Sequence, residues 1–123
     1  MNTPARQKIL DAVSAWEGVS VAPHRFGGVE VRYGTRELGH IHGDDLADLP
    51  FPMAVRNELI RQGSAQPHHI LPKSGWVSVP LTSAEDVQHV IALFRRSWEL
   101  ARQKKRFSSR EYGPGGPEEQ KKL

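Results

Sequence analysis

Two alternating runs joined by a glycine-containing dipeptide constrain this chain more than any other feature. Val29-Glu30-Val31-Arg32-Tyr33 alternates apolar and polar residues, Gly34-Thr35 supplies a turn that tolerates positive φ, and Arg36 to His42 alternates again. Together they predict a β-hairpin. With Gly34-Thr35 at the tip, Tyr33 faces Arg36, Arg32 faces Glu37 as an opposite-charge pair, Val31 faces Leu38 and Val29 faces His40. Side chains alternate along a strand, so this register places Val29, Val31, Leu38, His40 and His42 on one face. Glu30, Arg32, Glu37 and Ile41 take the other.

The hairpin runs into Gly39-His40-Ile41-His42-Gly43-Asp44-Asp45. Two imidazoles at i and i+2 followed by carboxylates can ligate a metal through His40, His42 and Asp44, hold an anionic ligand, or work as acid and base near neutral pH. The structural alternative is that histidines on a half-buried strand are satisfied by backbone or carboxylate, and that Gly43-Asp44-Asp45 is turn composition. More histidines lie elsewhere. His24-Arg25 stands at a strand end before Gly27-Gly28, and His68-His69 sits in a loop with turn formers at both ends. Neighbouring side chains in extended backbone point opposite ways, so at most one of His68 and His69 is expected to face His40 and His42.

Composition narrows the class. At 123 residues, with 37% apolar and 25% charged, the expectation is one globular domain over residues 1–105. Zero cysteine excludes disulfides, thiolate catalysis and Cys-type zinc or iron-sulfur sites. The amino terminus has no apolar run of about 7 to 15 residues, so no signal peptide is expected. No stretch is long and apolar enough to span a membrane, and a cytoplasmic protein is the default. The pI near 9.5 resembles a nucleic-acid signal until it is divided along the chain. From Gln103 onward lie six of the 17 basic residues and three of the 14 acidic ones, leaving 11 of each before it. The body is neutral. Lys104-Lys105-Arg106 suits the dipole of a helix end better than a phosphate footprint, which argues against a nucleic-acid partner.

In chain order, Thr3-Pro4 reads as an N-cap and N1 pair, and Ile9, Leu10, Val13 and Trp16 recur at helical spacing until Gly18. Val19 to Ala22 alternates as a strand. Leu46 to Pro52 is extended by its prolines, and Val55, Leu59 and Ile60 give a short helix that ends at Gly63. Trp76 to Leu81 alternates, with Val77, Val79 and Leu81 on the core side and Trp76 on the opposite one. Ser83 and Asp86 approximate a capping box for a last helix, whose stripe runs Val87, Val90, Ile91, Phe94, Trp98, Ala101. Residues 106–123 have too few apolar groups to offset ordering entropy, and a flexible Gly/Pro-rich charged tail is expected.

Several of these segments also carry a resemblance. Pro23-His24-Arg25-Phe26-Gly27-Gly28, Leu38-Gly39-His40-Ile41-His42-Gly43-Asp44, Leu49-Pro50-Phe51-Pro52, Pro67-His68-His69 and Ser74-Gly75-Trp76-Val77-Ser78 resemble the small bacterial luciferase-family proteins, over about residues 16 to 102. That family has no established activity to transfer onto these positions. Flavin-dependent luciferases need a barrel of about 250 residues, and this chain has neither that length nor a flavin or nucleotide phosphate-binding loop. More faintly, Trp76-Val77-x-Val79-x-Leu81 before a helix containing Ser97-Trp98-Glu99-Leu100 is similar to the YjbR-like double-wing family. That likeness implies an antiparallel sheet with helices on one side.

The resulting expectation is an α+β domain. An antiparallel sheet of about four strands packs one face on the first and last helices, and a short middle helix lies at an edge. A binding module would gather His24, Arg25, His40, His42, Asp44, His68, His69 and Trp76 around a small polar or anionic ligand. The alternative is a histidine and carboxylate enzyme dependent on a divalent metal. A protein- or DNA-interaction domain has only Arg32, Arg36 and Trp76 in its favour.

Overall fold

A computed structural model of the chain describes residues 3–24 and 27–112, with side chains as far as Lys104. Helix α1 (Ala5–Val13) starts one residue later than expected, with Pro4 rather than Thr3 at the cap position, where it offers no side-chain acceptor. The acceptor arrives from elsewhere. Asp44 Oδ1 accepts the Arg6 backbone N–H at 2.9 Å, which satisfies one of the helix's orphan donors across 38 residues of sequence. The helix ends at Val13, ahead of the Gly18 stop that spacing predicts, and a turn carries Trp16 onto Trp98 with ring centroids 5.6 Å apart.

Strands β1 (Val19–Pro23), β2 (Val29–Tyr33), β3 (Arg36–His42) and β4 (Leu46–Pro50) follow, then helix α2 (Met53–Arg61), strands β5 (Gln66–Pro67) and β6 (Trp76–Pro80), and helix α3 (Ala84–Tyr112). The strands form one sheet in the order β1-β2-β3-β4-β6-β5, and each adjacent pair is antiparallel. The α+β class and the antiparallel sheet stand, but the sheet has six strands rather than about four. Strand β4 escapes a period-2 reading because Leu46-Ala47-Asp48-Leu49 puts an apolar residue on each face, and β5 is only two residues long.

Helix α3 crosses β3, β4 and β6, with α1 packed against it, and α2 lies beside the edge strand β5. Ile9 and Val13 of α1, Val31, Leu38, Ile41, Leu49 and Val77 of the sheet, and Val90 and Phe94 of α3 are all fully buried on this side. The capping box forms: Ser83 Oγ accepts the Asp86 N–H at 3.1 Å, and Asp86 Oδ2 accepts the Thr82 N–H at 2.8 Å. The α3 backbone stays helical past Phe107, to Tyr112, while residues 113–123 of the expected tail lie outside the described residues. Among the described residues no helix is long and apolar enough to cross a membrane.

One departure in the hairpin decides where the site lies. Gly34, with φ 62°, makes the turn, and Tyr33 pairs with Arg36 and Arg32 with Glu37 as expected. Then the register slips by one. Val31 pairs with Gly39, Glu30 with His40 and Val29 with Ile41, which leaves Leu38 as the extra residue of a β-bulge. The Leu38 carbonyl accepts the buried Ser97 hydroxyl of α3 at 3.0 Å instead.

The expected face assignment is therefore corrected beyond the bulge. Leu38 and Ile41 both enter the core, whereas Glu37, His40 and His42 share the opposite face. A Cβ on Gly39 would stand 2.8 Å from the Asp48 backbone carbonyl oxygen and 2.8 Å from the Phe94 ring. The bulge thus depends on a residue without a side chain. Gly39→Ala is expected to cost about 1–3 kcal/mol through overpacking, measured by urea denaturation. A loss below about 0.5 kcal/mol would show that the strands separate freely at this point.

Candidate functional site

The sheet face away from α3 carries a polar row set by register. Glu30 pairs with His40, His40 with Asp48, Asp48 with Ser78 and Ser78 with Gln66, so one residue from each of five neighbouring strands stands in line. Asp48 is the centre of the row and has no solvent exposure. Its Oδ1 accepts the Ser78 hydroxyl at 2.6 Å. Its Oδ2 lies 3.0 Å from both His42 Nε2 and His69 Nε2, and 3.3 Å from both His40 Nε2 and His68 Nε2. Four imidazoles converge on one oxygen.

Their other nitrogens distinguish them. His40 Nδ1 donates to Glu37 Oε2 at 2.7 Å, a contact the bulge creates by bringing residues i and i+3 to one face. His68 Nδ1 instead accepts the Ile70 and Leu71 backbone N–H groups at 3.1 and 3.0 Å. That fixes the neutral His68 ring with its proton on Nε2, aimed at Asp48. These two bonds also bend the chain. The adjacent His68 and His69 rings then stack 4.4 Å apart, and both reach Asp48, where extended backbone allowed only one to face the strand histidines.

Burial of Asp48 favours its neutral form, but hydrogen bonds from His40, Ser78, His69 and His42 outweigh that and hold its carboxyl far below the ordinary range. Burial likewise opposes charge on His40. Asp48 and Glu37 overcome it and push this imidazole up to about 9. For His68, burial prevails over the Asp48 charge, and its value is lowered.

Around this polar centre is a cavity of about 420 Å³. His24 and Trp76 flank His40, with ring centroids 4.2 and 5.2 Å from it, and Ile70 and Leu71 form an exposed apolar rim. His42 and His69 keep 34% and 43% of their side-chain surface open. Of the residues expected to form a site, His24, His40, His42, His68, His69 and Trp76 line this cavity. Asp44 does not join them, because it caps α1, and Arg25 lies outside the described residues.

Sequence reasoning missed Asp48, Glu37 and Ser78. A signal for Asp48 existed in the lone charge inside the extended run Leu46 to Leu49, which must be paired if the run is buried. Glu37 stands opposite Arg32 as expected, yet its carboxylate turns to His40 while Arg32 pairs with Glu30.

The segment holding most of these groups is also the one with a recognised family pattern. The Luciferase domain family matches residues 35–97, just over half of the chain. The chain belongs to that family. In this Luciferase domain the matched segment contains Glu37, His40, His42, Asp48, His68, His69 and Trp76 and omits His24. The match does not show the fainter YjbR-like likeness. No curated protein and no solved structure matches the chain. The antiparallel sheet of this Luciferase domain is also not the parallel barrel of flavin-dependent luciferases. Its imidazoles, backed by a buried carboxylate, have the chemistry to bind a polar group, to move a proton or to hold a metal.

Proposed function

We propose that this Luciferase domain is a binding module for a small polar molecule with a flat apolar body. The observation that carries the reading is the cavity in which aromatic walls lead to two half-open imidazoles over a buried carboxylate. A volume of about 420 Å³ falls within the range of ligand pockets, about 300–1,000 Å³. Trp76 and the edge of His24 offer aromatic walls, Leu71 and Ile70 offer apolar cover, and His42 and His69 offer hydrogen bonds.

Charge balance selects among polar ligands. Glu37 and Asp48 are two carboxylates against one imidazolium at His40, so a neutral hydroxyl or amide is favoured over an anion in the metal-free protein. Phenol, catechol and benzoate are suitable probes at millimolar concentration, followed by side-chain NMR shifts. Catechol and phenol are expected to move the His42, His69 and Trp76 signals, benzoate more weakly, and Trp76→Ala to reduce the shifts. Absence of shifts at these three residues with all three probes would sink the proposal.

A further inference from the structure

The four imidazoles around Asp48 Oδ2 present a problem of directions. A carboxylate oxygen has about two lone pairs, yet four Nε2 atoms stand within 3.3 Å of this one. His42 and His69, at 3.0 Å, make the directed hydrogen bonds to it, while His68, whose Nδ1 accepts two backbone N–H groups and whose proton is therefore on Nε2, stands at 3.3 Å with His40. The four cannot all be well-directed N–H bonds. Any imidazole that instead turns a lone pair toward Oδ2 meets another lone pair, which only a cation between them relieves.

Three sets of candidate ligands each have their ligand atoms within 4.8 Å of one another: first His40, His42 and Asp48, second Asp48, His68 and His69, and third His24, Glu37 and His40, in which Glu37 is already bonded to His40 Nδ1. In the second set His68 is unsuitable, because ligation through Nε2 would leave neither ring nitrogen protonated while Nδ1 accepts. In the first set only the His40 Nε2 proton has to leave. Glu37 Oε2 accepts a hydrogen bond from His40 Nδ1–H at 2.7 Å, the carboxylate partner that metal-bound histidines usually have, and it leaves Nε2 able to face an ion once the Nε2 proton is displaced.

Distances agree with this. Ligand atoms about 2.0–2.1 Å from a common ion are separated by about 3.0–3.4 Å across neighbouring positions of an octahedron or tetrahedron, and Asp48 Oδ2 is 3.3 and 3.0 Å from the His40 and His42 Nε2 atoms. His42 is 34% open, so an ion there would face the cavity.

We infer that His40 Nε2, His42 Nε2 and Asp48 Oδ2 form a site for a first-row divalent transition metal ion, oriented by Glu37, with its remaining positions open to the cavity. Two imidazoles and one carboxylate with open positions suit iron, cobalt, nickel or zinc rather than magnesium or calcium. The site shares the cavity and His42 with the proposed ligand, but metal titration reads the one and metal-free probe shifts read the other, so either reading can fail alone. A bound dication would also reverse the local charge balance and admit anions that the metal-free cavity disfavours.

The test is titration of the chelator-treated, untagged full chain with zinc by calorimetry and with cobalt by visible absorption. One equivalent is expected to bind, with at least about a 100-fold loss in His42→Ala and a loss of about 10- to 100-fold in Glu37→Gln, and no change in the remote control His89→Ala. His42→Ala alters a half-open residue, and circular dichroism checks that it is folded. Failure of the parent to bind one equivalent overturns the inference, as does binding that survives His42→Ala but is lost in His69→Ala. Catechol shifts measured without metal report on the ligand reading separately.

Discussion

Asp48→Ala is expected to destabilise the protein by about 3–5 kcal/mol, the cost of breaking a buried ion pair from one side. Asp48 is fully buried, and its loss removes the acceptor of the Ser78 hydroxyl and of the His68 Nε2 proton, both buried, together with one of the two carboxylates that hold the His40 charge. Asp44→Ala is the control. Asp44 is exposed and only caps α1, so its replacement should cost about 1 kcal/mol. Chemical denaturation of both variants beside the parent decides the matter, and equal losses would mean that Asp48 is not the centre of the network.

The same network predicts a pH dependence in chelator-treated protein. The groups facing His40 are Glu37 and His42 on its own strand, Glu30 and Asp48 on the neighbouring strands, and His24 and His68 from the flanking loops. His40 has a folded value of about 9, raised from 6.5. Its contribution is therefore fully present below about pH 6.5 and is lost as pH rises through about 9. For Asp48 the folded value is depressed, so its contribution is present above its unfolded value of 3.8 and lost as pH falls below that. Denaturation midpoints should thus decline above neutrality, and a flat profile from pH 6 to 10 would show that His40 is not held as the imidazolium.

Leu38→Ala is expected to cost about 2–5 kcal/mol, whereas His42→Ala should change stability by no more than about 0.5 kcal/mol or raise it. The two residues are four apart on one strand, yet the bulge sends Leu38 into the core with no exposure and leaves His42 facing the cavity with a third of its side chain open. His42 is one of several groups on Asp48, so its removal leaves that carboxylate bonded to others. A His42 variant as damaged as the Leu38 one would make the histidine structural.

Much of this protein is legible without its tertiary structure, wherever a local period decides. The hairpin turn at Gly34-Thr35, the strand from Trp76 with its face assignment, the helix with Val87, Val90, Phe94 and Trp98 inward, and the cap at Ser83 all follow from patterns within a few residues. Five histidines singled out in the sequence, His24, His40, His42, His68 and His69, line one cavity, but their local patterns allowed at most one of His68 and His69 to face His40 and His42.

What sequence could not determine is which neighbours those residues would have. The slip at Leu38 is invisible to alternation, because it is settled by how closely Gly39 approaches Asp48 and Phe94 and by the Ser97 hydroxyl that takes the Leu38 carbonyl from 59 residues away. Asp44 and Asp48 are both acids beside a turn. Only the pairing of β4 between β3 and β6 makes one an exposed helix cap and the other the buried centre of four imidazoles. Local periods specify elements because they arise from backbone geometry, whereas a site assembled from three strands and two loops is specified by register, which the packed sheet alone decides.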